Sequence, residues 1–442
     1  MKPQKLSEAE LASLSGLGSP SVDILAQWVN KRLTCAHCKG CTRKCEVLEQ
    51  AGLDIGLVEE AYQQVAGRSD EDRPAAVRAL AQGQPEMFRA LRRCCFCGFC
   101  TSLCEAHMLA PERMREWRDL FIEAGLLDPK DSSLVMVDNE WHIFNAYRAI
   151  YGIAYPEFLQ LKDVAEQGPG KVDTLLFPGC SLVSYAPLVV RELGRWMDGT
   201  GVAWAMSDEC CGSPLMSAGL FDRAEALREK LFDQIRAAGI TRMLTVCPGC
   251  GEEFAELAGD EIDIVPLPEF LLEMAKKGNA RFCAQGTEAT PAAEGAADAS
   301  LTFFDSCHDR FDRRHGRAIR RLLSLQSPGS ARLEMAHHGK HTLCCGAGGA
   351  ASAFDEDISH KRVWRIIDEA QATGAHTLVT ACPTCTYTIA QALLGKEGEQ
   401  PIENRHYLEL LFGQTIDWPT VFSQLESMWS GEYGPWLAQT FF

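Results

Sequence analysis

The sequence predicts an α+β multidomain chain: an all-helical N-terminal domain followed by two duplicated α/β domains with parallel sheets. Three observations predict it. Helical patterning dominates the first 125 residues. From 171 to about 395 one pattern of short β-type runs, helices and cysteines occurs twice. Strands that alternate with helices imply βαβ units.

Element by element, residues 1–34 read as a helical extension leading into Cys35. Residues 35–125 hold two cysteine runs separated by a helical stretch from Val47 to Arg93, and Pro111 opens a further helix at a favoured first-turn position. Residues 126–170 form an aromatic connector with Trp141, Phe144, Tyr147, Tyr151 and Tyr155. The duplicated domains are expected over 171–280 and 301–395. They are joined by a linker over 281–300 whose Ala/Gly/Glu/Thr-rich composition cannot build a core. An aromatic tail, 396–442, closes the chain, and its last residues (WSGEYGPWLAQTFF) suit core packing or docking on a membrane subunit.

Composition narrows the function. The net charge of −17 argues against a nucleic-acid partner, which needs a basic face. It suits a solvated acidic surface or docking on basic partners. No apolar run reaches the ~18–20 residues of a membrane span. Met1 to Pro20 is polar, with no signal-peptide or twin-arginine pattern, so a cytoplasmic location is expected. Twenty cysteines in 442 residues are too many for a reducing compartment to hold as structural disulfides, and the chain is far too long for a small secreted scaffold. Metal ligation remains, and spacing decides the metal.

Cys35, Cys38, Cys41 and Cys45 read C-x2-C-x2-C-x3-C, and Cys94, Cys97, Cys100 and Cys104 repeat it. This is the spacing of two-cluster ferredoxins, in which the fourth cysteine of each run serves the other cluster. The expected sets are Cys35, Cys38, Cys41 with Cys104, and Cys94, Cys97, Cys100 with Cys45. Zinc, the competing reading, wants two widely spaced pairs. Glu46 and Glu105 replace the usual proline after each run, and Cys95 reads as a buried bystander. The long helical separation of the runs resembles the all-helical ferredoxin module of fumarate reductase and heterodisulfide reductase.

Each duplicated half carries a single cysteine, a Cys-Cys-Gly and a Cys-x-x-Cys. The first set is Cys180, Cys210, Cys211, Cys247 and Cys250, and the second is Cys307, Cys344, Cys345, Cys382 and Cys385. Every group lies at or just past a predicted strand end, where open α/β sheets gather ligands. Five thiolates exceed what one cubane needs. Gly212 and Gly346 are expected to let the backbone pass close to a cluster. Helices that follow Cys180, Cys307 and the Cys-x-x-Cys groups would aim their N-termini at bound negative charge. Thioredoxin-like dithiols, structural zinc and inert core cysteines are the alternatives.

The doubled motif resembles the cysteine-rich "CCG" domain pair of the heterodisulfide reductase catalytic subunit. With the N-terminal runs, residues 30–395 resemble its fused, membrane-associated form and the iron–sulfur subunits of bacterial transmembrane redox complexes. The resemblance implies two cubane [4Fe–4S] clusters on the N-terminal runs and a noncubane [4Fe–4S] cluster on each five-cysteine set. It implies an oxidoreductase that reduces or forms a disulfide lying between the noncubane clusters. The implied partners are a b-type cytochrome or quinone-reactive integral membrane subunit, with other iron–sulfur, cytochrome c or flavoprotein subunits. The implied place is peripheral, on the cytoplasmic face of the inner membrane.

His308 directly follows Cys307 and is a candidate proton donor. The basic helix after it offers Arg310 and Arg314 to hold an anionic substrate tail; a capping histidine and a solvated basic face are the plainer readings. His337, His338 and His341 have weaker claims. Two other functions stay open: a pure electron relay beside a flavin subunit that oxidises a 2-hydroxy acid or glycerol 3-phosphate, and a zinc-stapled assembly protein.

Overall fold

The computed structural model describes residues 35–106, 108, 110–170, 172–255, 257–278, 282, 300–326, 330–351, 355–394 and 402–441. The extension expected over 1–34, Cys283 and most of the linker expected over 281–300 lie outside the described residues. The chain divides into two compact units between Leu126 and Leu127.

The described part of the first unit is helical: α1 (Glu46–Gln50), α2 (Ile55–Ala66), α3 (Arg73–Gly83), α4 (Pro85–Arg92), α5 (Phe99–Leu103) and α6 (Ala110–Glu123). The stretch from Val47 to Arg93 is therefore four helices, and local chemistry makes the breaks. Gly52 takes φ +67° just after α1. Asp54 caps α2, its carboxylate accepting from Leu57 N at 3.0 Å. Gln84 leaves the helical region because Pro85 follows it. Val58, Leu91, Trp117 and Phe121 close the core.

The second unit opens with α7 (Ile143–Ile150) and α8 (Leu161–Gln167). The first half of the duplication follows as β1 (Thr174–Phe177), α9 (Cys180–Tyr185), α10 (Pro187–Asp198), β2 (Trp204–Met206), α11 (Ser213–Ala218), α12 (Phe221–Ala238), β3 (Arg242–Thr245), α13 (Pro248–Ala255), β4 (Asp263–Pro266) and α14 (Leu267–Lys276). The second half is β5 (Leu301–Phe304), α15 (Arg314–Gln326), β6 (Arg332–Leu333), α16 (Glu356–Ala372), β7 (Thr377–Thr380), α17 (Pro383–Leu394), β8 (Glu403–His406) and α18 (Tyr407–Phe412). Helices α19 (Trp418–Ser430) and α20 (Gly434–Phe441) end it.

Both sheets are parallel and share one strand order, β2-β1-β3-β4 and β6-β5-β7-β8. The inner strands β1 and β7 are buried along their whole length, as helix-covered parallel strands require. One apolar core runs through both halves and includes Leu176, Leu244, Phe303, Val379 and Leu408. Tyr185 of the first half stacks on Tyr387 of the second, with centroids 5.2 Å apart.

One expected element differs. No α-helix begins at Cys307; a single 3-10 turn, Cys307–Asp309, stands there, and the helix starts only at Arg314. Arg313 takes a left-handed φ of +57°, and the Asp309 carboxylate accepts from His315 N and Gly316 N at 2.9 and 2.7 Å. A fresh helix start is built there.

The connector and tail pack on each other. The Tyr147 hydroxyl donates to Gln424 Oε1 at 2.6 Å, and Trp141 meets Trp436 edge-to-face at 5.1 Å. Leu437 and Phe441 are buried, whereas Tyr433 and Trp436 stay exposed. Among the described residues, no helix is long and apolar enough to cross a membrane.

A Cβ at Gly194 of α10 would collide with the Phe158 ring. Gly194→Ala is expected to overpack this contact by about 1–3 kcal/mol. Calorimetry should show a lower thermal midpoint with unchanged metal content.

Candidate metal centres

In the first unit the two cysteine runs have matching backbones. The residues flanking the second cysteine are left-handed in both, His37 and Lys39 in one run and Phe96 and Gly98 in the other. Those turns bring the N–H of His37 to within 3.3 Å of Cys35 Sγ and the N–H of Phe96 to within 3.4 Å of Cys94 Sγ. Each third cysteine is followed by a threonine whose hydroxyl donates to a distant carbonyl, Thr42 to Leu53 O at 2.6 Å and Thr101 to Met108 O at 2.8 Å. Cys45 and Cys104 both sit in extended conformation where a helical turn ends.

The thiols group across the runs. Burial pushes Cys100 well up, reinforced by Cys45, Cys94 and Cys41 nearby. Cys41 and Cys45 of the first run thus both lie near Cys100 of the second. Cys35 is pushed up by burial, with Asp54 and Cys41 adding to it. Arg118 is fully buried beside this group. Its Nη2 donates to Arg92 O at 2.7 Å and Cys94 O at 2.9 Å, its guanidinium lies 4.4 Å from the Phe96 ring centre, and burial lowers it to about 10. A cation held there offsets the thiolate charge of a loaded site.

In the second unit the ten repeated cysteines all follow strand ends: β1, β2 and β3 in the first half, β5, β6 and β7 in the second. The sulfurs form one connected series. Cys210 Sγ donates to Cys180 Sγ at 3.7 Å. Cys211 is held well below the usual thiol range by hydrogen bonds from Cys210 and Cys250, and Cys250 also meets Cys247. Cys247 then lies beside Cys382 of the other half, packed against the cluster of Cys345, Cys382 and Cys385. Cys382 is likewise held low by Cys247 and Cys385, and Cys385 Sγ donates to Cys345 Sγ at 3.3 Å. The two five-cysteine sets thus meet at Cys247 and Cys382.

Local structure explains the placement. Gly179, at φ +86°, lets the first Cys-x-x-Cys close on it, since a Cβ there would lie 3.2 Å from Cys250 Sγ. Gly346 N–H donates to Cys344 Sγ at 3.4 Å, and both Gly212 and Gly346 also make room for a helix. Their missing Cβ atoms would face the following long helix, 3.1 Å from Arg228 Nε and 2.7 Å from Ser359 Cα. These glycines let α12 and α16 press against the Cys-Cys turn. Each helix also supplies a buried arginine seventeen residues after the second cysteine of the pair. Arg228 Nε donates to Cys211 O at 2.8 Å and Nη2 to Glu253 at 2.6 Å, while Arg362 Nη1 lies 3.9 Å from Cys344 Sγ. Neither arginine is singled out by motif; only the matched offset marks them.

His308 reaches across the halves. Its Nδ1 is 2.5 Å from Glu252 Oε2, and its ring lies against Gly249, 3.3 Å from where a Cβ would be. Burial works against its charge, but Glu252 and then Cys382 overcome this and push His308 up to about 9. Arg310 is buried with Nη1 on Lys340 O at 2.7 Å, and Arg314 grips Glu269 through Nε and Nη2, with Nη2 at 2.6 Å. The structure engages both arginines within the fold. His337 pairs with Glu369 at 2.7 Å, and His338 meets Met335 O.

An all-thiol donor set, buried at converging strand ends, with adjacent cysteines able to reach different metals, fits iron–sulfur ligation. The family model described as "Cysteine-rich domain" (CCG) matches residues 174–255 and again 301–390. The chain thus carries two CCG cysteine-rich domains, and its similarity to heterodisulfide reductase proteins extends over most of its length. It is 25% identical to a component of the dihydromethanophenazine:CoB–CoM heterodisulfide reductase of Methanosarcina acetivorans over 404 residues, 83% of this chain and 91% of that protein. It is 24% identical to a component of the fumarate reductase (CoM/CoB) of Methanothermobacter marburgensis, over 85% of this chain and 71% of that protein. It is 22% identical to the EtfAB:quinone oxidoreductase of Syntrophomonas wolfei, over 54% of this chain and 34% of that protein.

In this CCG-domain protein, Gly346→Ala adds strain at φ +86° and a clash with α16. Iron and acid-labile sulfide bound per chain are expected to fall together.

Proposed function

We propose that the chain carries four clusters and performs disulfide chemistry. The expected sets Cys35, Cys38, Cys41, Cys104 and Cys94, Cys97, Cys100, Cys45 hold two cubane [4Fe–4S] clusters. The five-cysteine sets of the two CCG domains hold two noncubane [4Fe–4S] clusters. One observation carries the reading: Cys247 of the first set packs against the cluster of Cys345, Cys382 and Cys385 of the second, so two metal sites flank one seam. Bound clusters would supply one electron from each side, and with two protons these part a disulfide into two thiols.

The chain's own residues shape that seam. Glu252 holds His308 by Nδ1, leaving Nε2 as the nitrogen able to serve a bound sulfur. Arg228 and Arg362 fasten the Cys-Cys turns and bring positive charge to thiolate-rich sites. The partner that feeds or drains electrons is a b-type cytochrome or quinone-reactive integral membrane subunit, with a flavoprotein second. The exposed Trp436 and Tyr433 beside α20 are available to such a subunit. This would place the protein peripherally on the cytoplasmic face of the membrane. A relay without its own substrate is the second reading, favoured by the likeness to the EtfAB:quinone oxidoreductase.

Oxidation of the fully loaded protein with added thiol should give an EPR signal that depends on the thiol. Its absence would establish the relay. His308→Gln should lower disulfide turnover about a hundredfold with iron content unchanged; wild-type turnover would remove His308 from the mechanism.

A further inference from the structure

The second CCG half carries buried polar side chains at three positions near the seam where the first half has none. His315 of α15 stands where α10 has Leu188, each second in its helix and eight residues past the single cysteine. His406 and Tyr407, at the end of β8 and start of α18, stand where the first half has Pro266 and Leu267. A fourth departure lies in the first half. Thr380 of β7 bonds Thr386 at 2.6 Å, but the equivalent Thr245 of β3 faces Gly251.

Three polar atoms result that have no hydrogen-bond partner among the described residues, Thr245 Oγ1, His315 Nε2 and Tyr407 Oη, and beside them the His406 ring faces the Glu409 N–H at the start of α18. Their residues are 0, 4, 0 and 0% exposed. They form two local pairs, one beside Gly251 and one at the start of α18. Thr245 Oγ1 and His315 Cε1 lie 3.0 and 3.9 Å from a Cβ built on Gly251, four residues past Cys247. Asp309 lies on the Nδ1 side of His315 at 3.7 Å. The His406 and Tyr407 rings are 4.7 Å apart. His406 Nε2 meets the carbonyl of Ala381, the residue before Cys382, at 3.1 Å. His406 feels Cys382 and His315, and Tyr407 feels Cys247.

An isolated buried polar atom costs stability, so native chains seldom keep one without use. Here such atoms lie beside both cysteine sets, and where the second half has His406 and Tyr407 the first half manages with proline and leucine. The ligand they suit is small, uncharged, and both donor and acceptor. A buried water with two to four polar partners meets that description.

We propose that Thr245, His315, His406 and Tyr407 form a buried water site at the Cys247–Cys382 seam, and that its water passes protons to sulfur. The proton role rests on the disulfide reading above. The balance is one disulfide, two electrons delivered through the two metal sites and two protons through the water, giving two thiols; the S–S bond breaks and two S–H bonds form.

The test uses the loaded full chain as wild type, Tyr407→Phe and Thr245→Val. In water labelled with oxygen-17, the reduced wild type should show an oxygen coupling to the cluster spin, and both variants should lose most of it with iron content unchanged. Reduced viologen should drive reduction of bis(2-hydroxyethyl) disulfide by the wild type. The variants should be at least tenfold slower, with a larger solvent isotope effect. An unchanged coupling together with a raised thermal midpoint in both variants would mean dry orphan groups and overturn the proposal. Loss of the coupling with no disulfide turnover even in the wild type would uphold the water site and overturn the disulfide reading instead.

Discussion

Ten thiols from six strand ends have to be collected without leaving their charge unsupported. Thiolates buried together repel, and burial alone raises a thiol, as at Cys100. The second unit meets this by doubling one solution. Two parallel sheets with the same strand order deliver a lone cysteine, a Cys-Cys pair and a Cys-x-x-Cys from three carboxyl edges each. A long helix then closes on the Cys-Cys turn, permitted by Gly212 and Gly346, and brings Arg228 or Arg362 to the sulfur side. The core shared by the two halves holds the edges face to face, so that Cys247 and Cys382 meet.

The duplication is as informative where it fails as where it holds. What ligates or supports a cluster is present in both halves. What distinguishes the halves is polar and lies at the seam: His308 on Glu252, and the group of His315, His406, Tyr407 and Thr245. Burying such groups in place of leucine or proline costs about 1–3 kcal/mol for each one left unsatisfied. Their concentration at the seam is the expected mark of a place where the fold serves chemistry rather than packing.

Much of this was legible in the sequence because spacing along the chain is a covalent constraint. C-x2-C-x2-C-x3-C leaves few backbones, and both runs adopt the same left-handed pair around the second cysteine. The βαβ alternation likewise announced two parallel sheets. Illegible features were those set by contacts far apart in sequence. Nothing local pairs His308 with Glu252, sets Gly346 against Ser359, or ties Arg314 to Glu269. The helix expected after Cys307 was displaced by the left-handed Arg313 and the Asp309 cap. The continuous helical reading of 47–93 overlooked the stop at Gly52 and the cap at Asp54.

The central claim is that two metal sites adjoin across Cys247 and Cys382. The direct measurement is the magnetic interaction between them, by EPR line shape and spin relaxation with both clusters paramagnetic. The account predicts a broadened, fast-relaxing spectrum that sharpens when Cys344 and Cys345 are replaced by serine and the second site is emptied. A wild-type spectrum with the narrow lines and slow relaxation of that variant would place the sites apart and contradict it.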